Sequence, residues 1–435
     1  MSTVTISPDN IPVLVASART PFLDSAGAYD QLMTYELAAL AISGLLERVA
    51  LPAAAIEQVI MGIVLHEVNT TNYAREAMLK AGLPSTIPAY TVAMAGISPT
   101  VGVIDLADRI ALGRIQFGIA GGAENFSDVP LRLSQKVRRL AMKLNNAKTT
   151  GERLKLLATL RLSDLKIEAP ASGDFTTGLT MGQSCENMVQ AFGSTREQAD
   201  AFAAESHTRA VRAQQAGLFD EQIIPVQTPY GVVTADNTPR ADSTPEKLAT
   251  LKPVFDREQG VITAGNASRF SDGAGAVLLG SLGAARAQGL PVLAAIRDYQ
   301  LVGTGSLEQE MLLGPALSIP KVLARNGLQF SDIGVWEIHE AFASQVLINL
   351  QCMAQESFVR ERFGADAPFG DIPHDKLNVL GGSVSLGNPF AATGVRLLHT
   401  AAQRLARENA RYAIISTCAG GGLGAAVLLE NPAYL

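Results

Sequence analysis

The stretch Ser98-Pro-Thr-Val-Gly-Val-Ile-Asp-Leu-Ala-Asp-Arg-Ile-Ala-Leu-Gly-Arg-Ile-Gln-Phe-Gly-Ile-Ala-Gly-Gly122 decides the fold class. Over Ser98–Gly113, Val101, Ile104 and Ile110 recur at helical spacing. Ser98 is expected to be the N-cap and Pro99 the first helical residue. Ile115–Ala120 then forms a short, nearly continuous apolar run, read as a strand buried on both faces, that enters Gly121-Gly122. Val13–Ala16 and Val59–Leu65 upstream have the same character. Strands alternating with helices predict an α/β fold with an at least partly parallel sheet.

The second half repeats the plan. Val292–Ile296 and Gly334–Ile338 are strand-like, and Leu377–Leu386 leads through glycines into a helix from about Ala391 to Glu408. Arg411–Thr417 enters Gly420–Gly422, and Ala425–Leu429 forms a closing strand. The shared order of extended segment, glycine, helix, buried strand and glycines predicts an internal duplication. Between the halves, roughly Phe126 to Thr263, the character changes. Arg132–Lys166 carries ten basic residues against Glu152 and Asp164, with leucines at 140, 144, 154, 157 and 160. One reading is a solvated helical pair; the other is a basic surface for phosphates, a partner subunit or anionic lipid.

With 435 residues, 47% hydrophobic and 17% charged, the chain has the composition of two or three domains with sizeable cores, not of a disordered protein. A net charge of −6 argues against a nucleic-acid partner. Three cysteines imply no disulfide framework and fit a reducing compartment. Met1–Pro12 lacks the pattern of a secretory leader, and no apolar run reaches the ~18 residues of a membrane span. The expected location is cytoplasmic.

The five histidines show no metal-type spacing with the cysteines, and no phosphate-binding P-loop or G-x-S-x-G elbow occurs. Three segments stand out: His339-Glu-Ala-Phe-Ala343, Asn378-Val-Leu-Gly-Gly-Ser-Val-Ser-Leu-Gly-Asn388-Pro, and Cys418-Ala-Gly-Gly-Gly-Leu-Gly424. The last two set a polar side chain beside glycine backbone that a ligand can approach closely. Taken alone, Cys418 is an ordinary packed thiol and His339 an ordinary structural histidine. Their joint occurrence in this order raises the weight of a site.

With these segments the sequence resembles the thiolases, acyl-CoA C-acyltransferases, over essentially its whole length. Further matching stretches are Val13-Leu-Val-Ala-Ser-Ala-Arg-Thr-Pro21, Gly121-Gly-Ala-Glu-Asn125, Met181-Gly-Gln-Ser-Cys-Glu-Asn187, Thr263-Ala-Gly-Asn-Ala-Ser268 and Asp272-Gly-Ala. His-Glu-Ala-Phe and the basic insertion resemble the β-subunits of fatty-acid-oxidation trifunctional complexes. The resemblance implies a duplicated five-layer α-β-α-β-α fold. Its N-terminal half would be residues 1–125 plus 271–291 and its C-terminal half 292–435. A loop domain would fill 126–270 and carry the insertion 133–167. The resemblance also implies a coenzyme A thioester as substrate and no cofactor or metal. Arg240 and Ser268 would lie near CoA, and Met181 would line the acyl pocket. The implied assembly is a homodimer or homotetramer, with a hydratase/dehydrogenase α-subunit or an active paralogue as further partner.

Laid against the family, the nucleophilic cysteine falls at Gly96, and the histidine of Gly-His-Pro is Asn388. Glycine has nothing to acylate, and an amide cannot take and return a proton near pH 7. Cys418 and His339 are retained, and the Gly96 and Gly420 N–H groups still offer a backbone oxyanion hole. Cys185, one turn after Met181, and Cys352, in an apolar helical stretch, read as packed residues. Three expectations follow. The chain is an enzyme working beside the thioester carbonyl with Cys418, His339 and Asn388 but no acyl-cysteine. Alternatively it is a non-catalytic subunit that binds CoA or a partner, or an ordinary acyltransferase with another nucleophile.

Overall fold

The computed structural model describes residues 7–170 and 173–435; the first six residues of the segment read for a leader lie outside them. Ten strands join in one mixed sheet system. In the first half the strands Pro12–Arg19, Gln58–Gly62, Ala89–Val92, Phe117–Glu124 and Ser271–Ser281 follow one another along the chain. Numbered in that order within the half, they lie 3-2-4-5-1 across the sheet. The second half has Ala294–Gly303, Ile333–Ile338, Tyr412–Ala419 and Leu423–Glu430 in the order 2-4-5-1. Its third position is reduced to one parallel bridge, Leu377 to Trp336. The two halves therefore share one topology, and they meet where Val13 and Leu14 pair with Ala295 and Ala294.

Three apolar clusters define the layers. The outer helix Thr34–Leu46 packs on the first-half sheet through Leu37, Ile42 and Leu45. The outer helix Gly314–Arg325 covers the second-half sheet through Ile319, Val322 and Leu323. Between the sheets lie the helices Ser98–Ala111 and Phe390–Arg407, whose Val103, Leu106, Leu397 and Leu398 share one cluster with Leu14 and Val427. Helices buried almost all round belong in a central layer. Two of their polar groups are paired across it: His399 with Ser17 of the first sheet, and Arg404 with Glu337 of the second at 2.9 Å. These layers follow the α-β-α-β-α order that the resemblance implies.

The structure departs from expectation in several places. The strand read over Ile115–Ala120 runs Phe117–Glu124, with Gly121 and Gly122 paired inside it. Ser98 is the first helical residue and Ile97 the N-cap, with no side-chain cap. The Ser98 hydroxyl instead closes the preceding turn, accepting from Met94 N at 2.8 Å and donating to Ala95 O at 2.6 Å. The strand expected over Val59–Leu65 ends at Gly62, because the Val64 and Leu65 N–H groups turn aside to the buried Glu124 carboxylate.

Between Glu124 and Ser271 the chain leaves the sheet. There Arg132–Leu133 pairs with Ile167–Glu168 at the base of a hairpin of two helices, Gln135–Asn146 and Thr150–Leu157. The helices Met181–Phe192 and Arg196–Gln215 return towards the second half. The buried Arg19–Asp236 ion pair at 2.7 Å and Arg19–Gln222 hydrogen bond tie this segment to the first strand.

Candidate active site

The parallel strands Ile333–Ile338 and Tyr412–Ala419 end side by side, with His339 N bonded to Ser416 O at 2.8 Å. Their carboxyl ends place His339 and Cys418 at the rim where ligands of α/β sheets bind. Cys418 is buried, and burial pushes its thiol up to about 12.

Opposite stands the turn before the central helix Ser98–Ala111. Ala95 has φ +46°, a strained value for a residue with a Cβ, and Gly96 follows it. Gly96 itself does not have positive φ. A Cβ built on it meets only Cys418 O at 3.8 Å and the Ala419 methyl at 3.9 Å. Glycine is thus required here neither by conformation nor by crowding. A Cβ on Gly420 would touch Met181 Sδ at 3.4 Å, so Met181 borders the glycine turn that follows Cys418.

Asn388 is buried. Its Nδ2 donates to Ser268 Oγ at 3.2 Å, and its Oδ1 accepts from Thr393 Oγ1 at 2.9 Å. Ser268 in turn donates its N–H to Ala341 O at 2.9 Å, joining this corner to the His339–Phe342 segment. Beyond Ser268 opens a groove of about 510 Å³ lined by Arg240, Lys247, Ser268, Arg269 and Phe270. Lys247 pairs with Asp242 and Arg269 with Asp24, whereas Arg240 has no ion pair among the described residues. Beneath it, His207 accepts from Arg240 N at 3.1 Å, and burial with the nearby arginines lowers its pKa to about 4. A cationic groove with an uncommitted guanidinium suits an anionic phosphate.

Support for the rim lies in residues that sequence reading did not single out. Asn378, at φ +45°, brackets Ile338 by accepting from its N–H and donating to its carbonyl, both at 2.8 Å. Glu340 accepts from Asn378 Nδ2 and Ser206 Oγ, each at 2.8 Å. Gly382 is glycine because a Cβ there would lie 2.1 Å from the Glu340 carboxyl carbon. His339 Nδ1 is 2.9 Å from Ser383 Oγ, and burial, then the Arg396 charge, depress its pKa to about 3. Asn378 and Ser383 lay inside a quoted motif; Ser206, on the helix Arg196–Gln215, carried no signal. Cys185 and Cys352 are buried in the second-half core cluster, as packed residues would be.

Two family models match, the thiolase N-terminal domain over residues 12–282 and the thiolase C-terminal domain over residues 290–431. The chain belongs to the thiolase family. It is 42% identical over 419 residues to the mitochondrial trifunctional enzyme subunit beta of Bos taurus, covering 96% of this chain and 88% of that one. It is 39% identical over 420 residues to a 3-ketoacyl-CoA thiolase of Pseudoalteromonas translucida (strain TAC 125), covering 96% of each. The acetyl-CoA acetyltransferase structure of Bacillus anthracis superposes with a TM-score of 0.81 at 31% identity, covering 97% and 98% of the two chains. Thiolase-family acyltransferases take CoA thioesters as substrates and need no cofactor. No described helix is long and apolar enough to cross a membrane.

Proposed function

We propose that this thiolase-family protein makes or breaks a C–C bond beside a CoA thioester without forming an acyl-cysteine. In this reading the Cys418 thiolate takes the α-proton. His339 and Asn388 donate hydrogen bonds to the thioester oxygen as it gains the enolate charge. Arg240 holds phosphate in the groove, Ser268 borders the pantetheine, and Met181 lines the acyl end. The backbone N–H groups of Gly96 and Gly420 supply the second oxyanion site. One observation carries the reading: Gly96, at the turn that presents a nucleophile in the family, has no side chain although the space for one is open.

Intact-protein mass after exposure to acetyl-CoA or acetoacetyl-CoA is expected to be unchanged. A stoichiometric adduct on Cys418 or Cys185 would instead establish ordinary thiolase chemistry, the activity for which the Pseudoalteromonas relative is named. A panel of acyl- and 3-hydroxyacyl-CoAs, read by mass spectrometry, identifies the bond acted on.

We also infer a homo-oligomer that docks a hydratase/dehydrogenase α-subunit through the basic hairpin, the partner implied by likeness to trifunctional enzyme subunit beta. Met142, Leu154 and Leu162 are exposed on the hairpin, Leu162 at 90%, among the basic side chains. Apolar groups left in solvent beside cations suit an amphipathic acidic partner. Neutralising Arg138, Arg139 and Lys143 is expected to weaken α-subunit binding in a salt-dependent way while leaving the melting temperature nearly unchanged. Unchanged binding with loss of affinity for anionic vesicles would assign the hairpin to a lipid surface.

A further inference from the structure

Arg396 enters the core from the central helix Phe390–Arg407 with no exposed surface. Its Nη2 donates to Ser383 Oγ at 3.1 Å, while Nε and Nη1 have no hydrogen-bond partner among the described residues. Its charge faces Glu337 and Glu340. On the other side of the same hydroxyl stands His339 Nδ1, at 2.9 Å. The protons of this relay can be counted. A guanidinium only donates, so Ser383 must accept from Arg396, leaving the hydroxyl one proton to place. The His339 ring is neutral and carries a single N–H. If that proton sat on Nδ1, Ser383 would accept twice, and its own proton would have no acceptor among the described residues. If it sits on Nε2, Ser383 donates to the Nδ1 lone pair and the line Arg396→Ser383→His339 is satisfied throughout.

We propose that Ser383 and Arg396 are positioning residues that lock His339 as the neutral Nε2–H tautomer, a hydrogen-bond donor with no basic nitrogen free for proton transfer. The assignment deepens, and rests on, the donor role proposed above for His339. It explains why His339 does not stand in for the base missing at Asn388. Its Nδ1 is committed to Ser383 and its Nε2 already bears a proton. Two neutral donors, the His339 Nε2–H and the Asn388 amide, then face the substrate oxygen, and Cys418 is left as the only proton-transferring side chain of the three.

The lock is tested by 15N magic-angle-spinning NMR of sedimented, 15N-histidine-labelled protein, with the His339 signals assigned by their loss in His339→Asn. The expected wild-type spectrum shows an unprotonated, downfield Nδ1 and a protonated, upfield Nε2. Ser383→Ala is expected to move both signals towards a tautomer mixture, and Ser383→Thr, which keeps the hydroxyl, to restore the wild-type pair. A protonated Nδ1 in the wild type, or an unchanged pair in Ser383→Ala, overturns the proposal. If Ser383→Ala does not fold, Ser383→Cys replaces it, because a weak thiol donor is expected to give the same mixture. The spectrum needs no substrate. A locked tautomer in a protein without acyl-CoA activity therefore defeats the functional reading and leaves the lock standing.

Discussion

Gly96→Cys combined with Asn388→His is expected to convert the protein into one that acylates and supports thiolysis of acetoacetyl-CoA. Gly96 lies outside the left-handed region, and its nearest prospective neighbours are 3.8 and 3.9 Å from a new Cβ. A thiol therefore enters without backbone strain, at a helix N-terminus, where the macrodipole lowers its pKa. Gly96→Cys alone is expected to turn over little, because Asn388 cannot accept the thiol proton. Asn388→His alone serves no nucleophile and is expected to show none. A restored base contributes ~10²–10⁴-fold, so the pair is expected to exceed the sum of the singles by a wide margin. A folded double variant that neither acylates nor reacts faster with iodoacetamide than the wild type would remove Gly96 from the nucleophile position.

Cys418→Ala is expected to cut exchange of the acyl-CoA α-protons in D2O by ~10²–10⁴-fold, the typical contribution of a general base. Its pH dependence follows from burial. Because the thiol is raised to about 12, the thiolate is a minor species at neutral pH and grows as pH rises. The exchange rate of the wild type is expected to climb about tenfold per pH unit between roughly pH 7 and 9, following the thiolate fraction. No bend is expected near 6.5, the ordinary histidine value, because His339 is held neutral down to about 3. A plateau beginning near neutral pH, or exchange that survives in Cys418→Ala, would transfer the base role to another group.

Much of this architecture is local in sequence. The central helix and the strand after it show in the spacing of Val101, Ile104 and Ile110 and in the apolar run that follows. Glycine runs announced the turns beside Cys418 and Asn388. What escaped was set by partners far along the chain. Ser98 has the side chain of a cap, but its hydroxyl is spent on Met94 and Ala95 within the turn it closes. Val64 and Leu65 read as strand because nothing nearby shows that Glu124 will claim their N–H groups. Ser206 reaches Glu340 across 134 positions of chain, a meeting decided by how the helix Arg196–Gln215 packs. The relay from Arg396 through Ser383 likewise exists only once the central helix is seated against the second-half sheet.

The unfilled space at Gly96 also bears on how this chain stands to mutation. A glycine codon ending in a pyrimidine becomes a cysteine codon by one base change, and either asparagine codon becomes histidine by one. Because a Cβ at Gly96 meets nothing closer than 3.8 Å among the described residues, Gly96→Cys needs no compensating substitution in the packing around that turn. The two positions are nonetheless of little use singly, since a thiol without a base and a base without a thiol each leave turnover near where it began. On the proposed reading, a route to acyl transfer that takes Gly96→Cys first passes through an intermediate with no catalytic advantage and no crowding at the turn, a neutral path rather than a closed one.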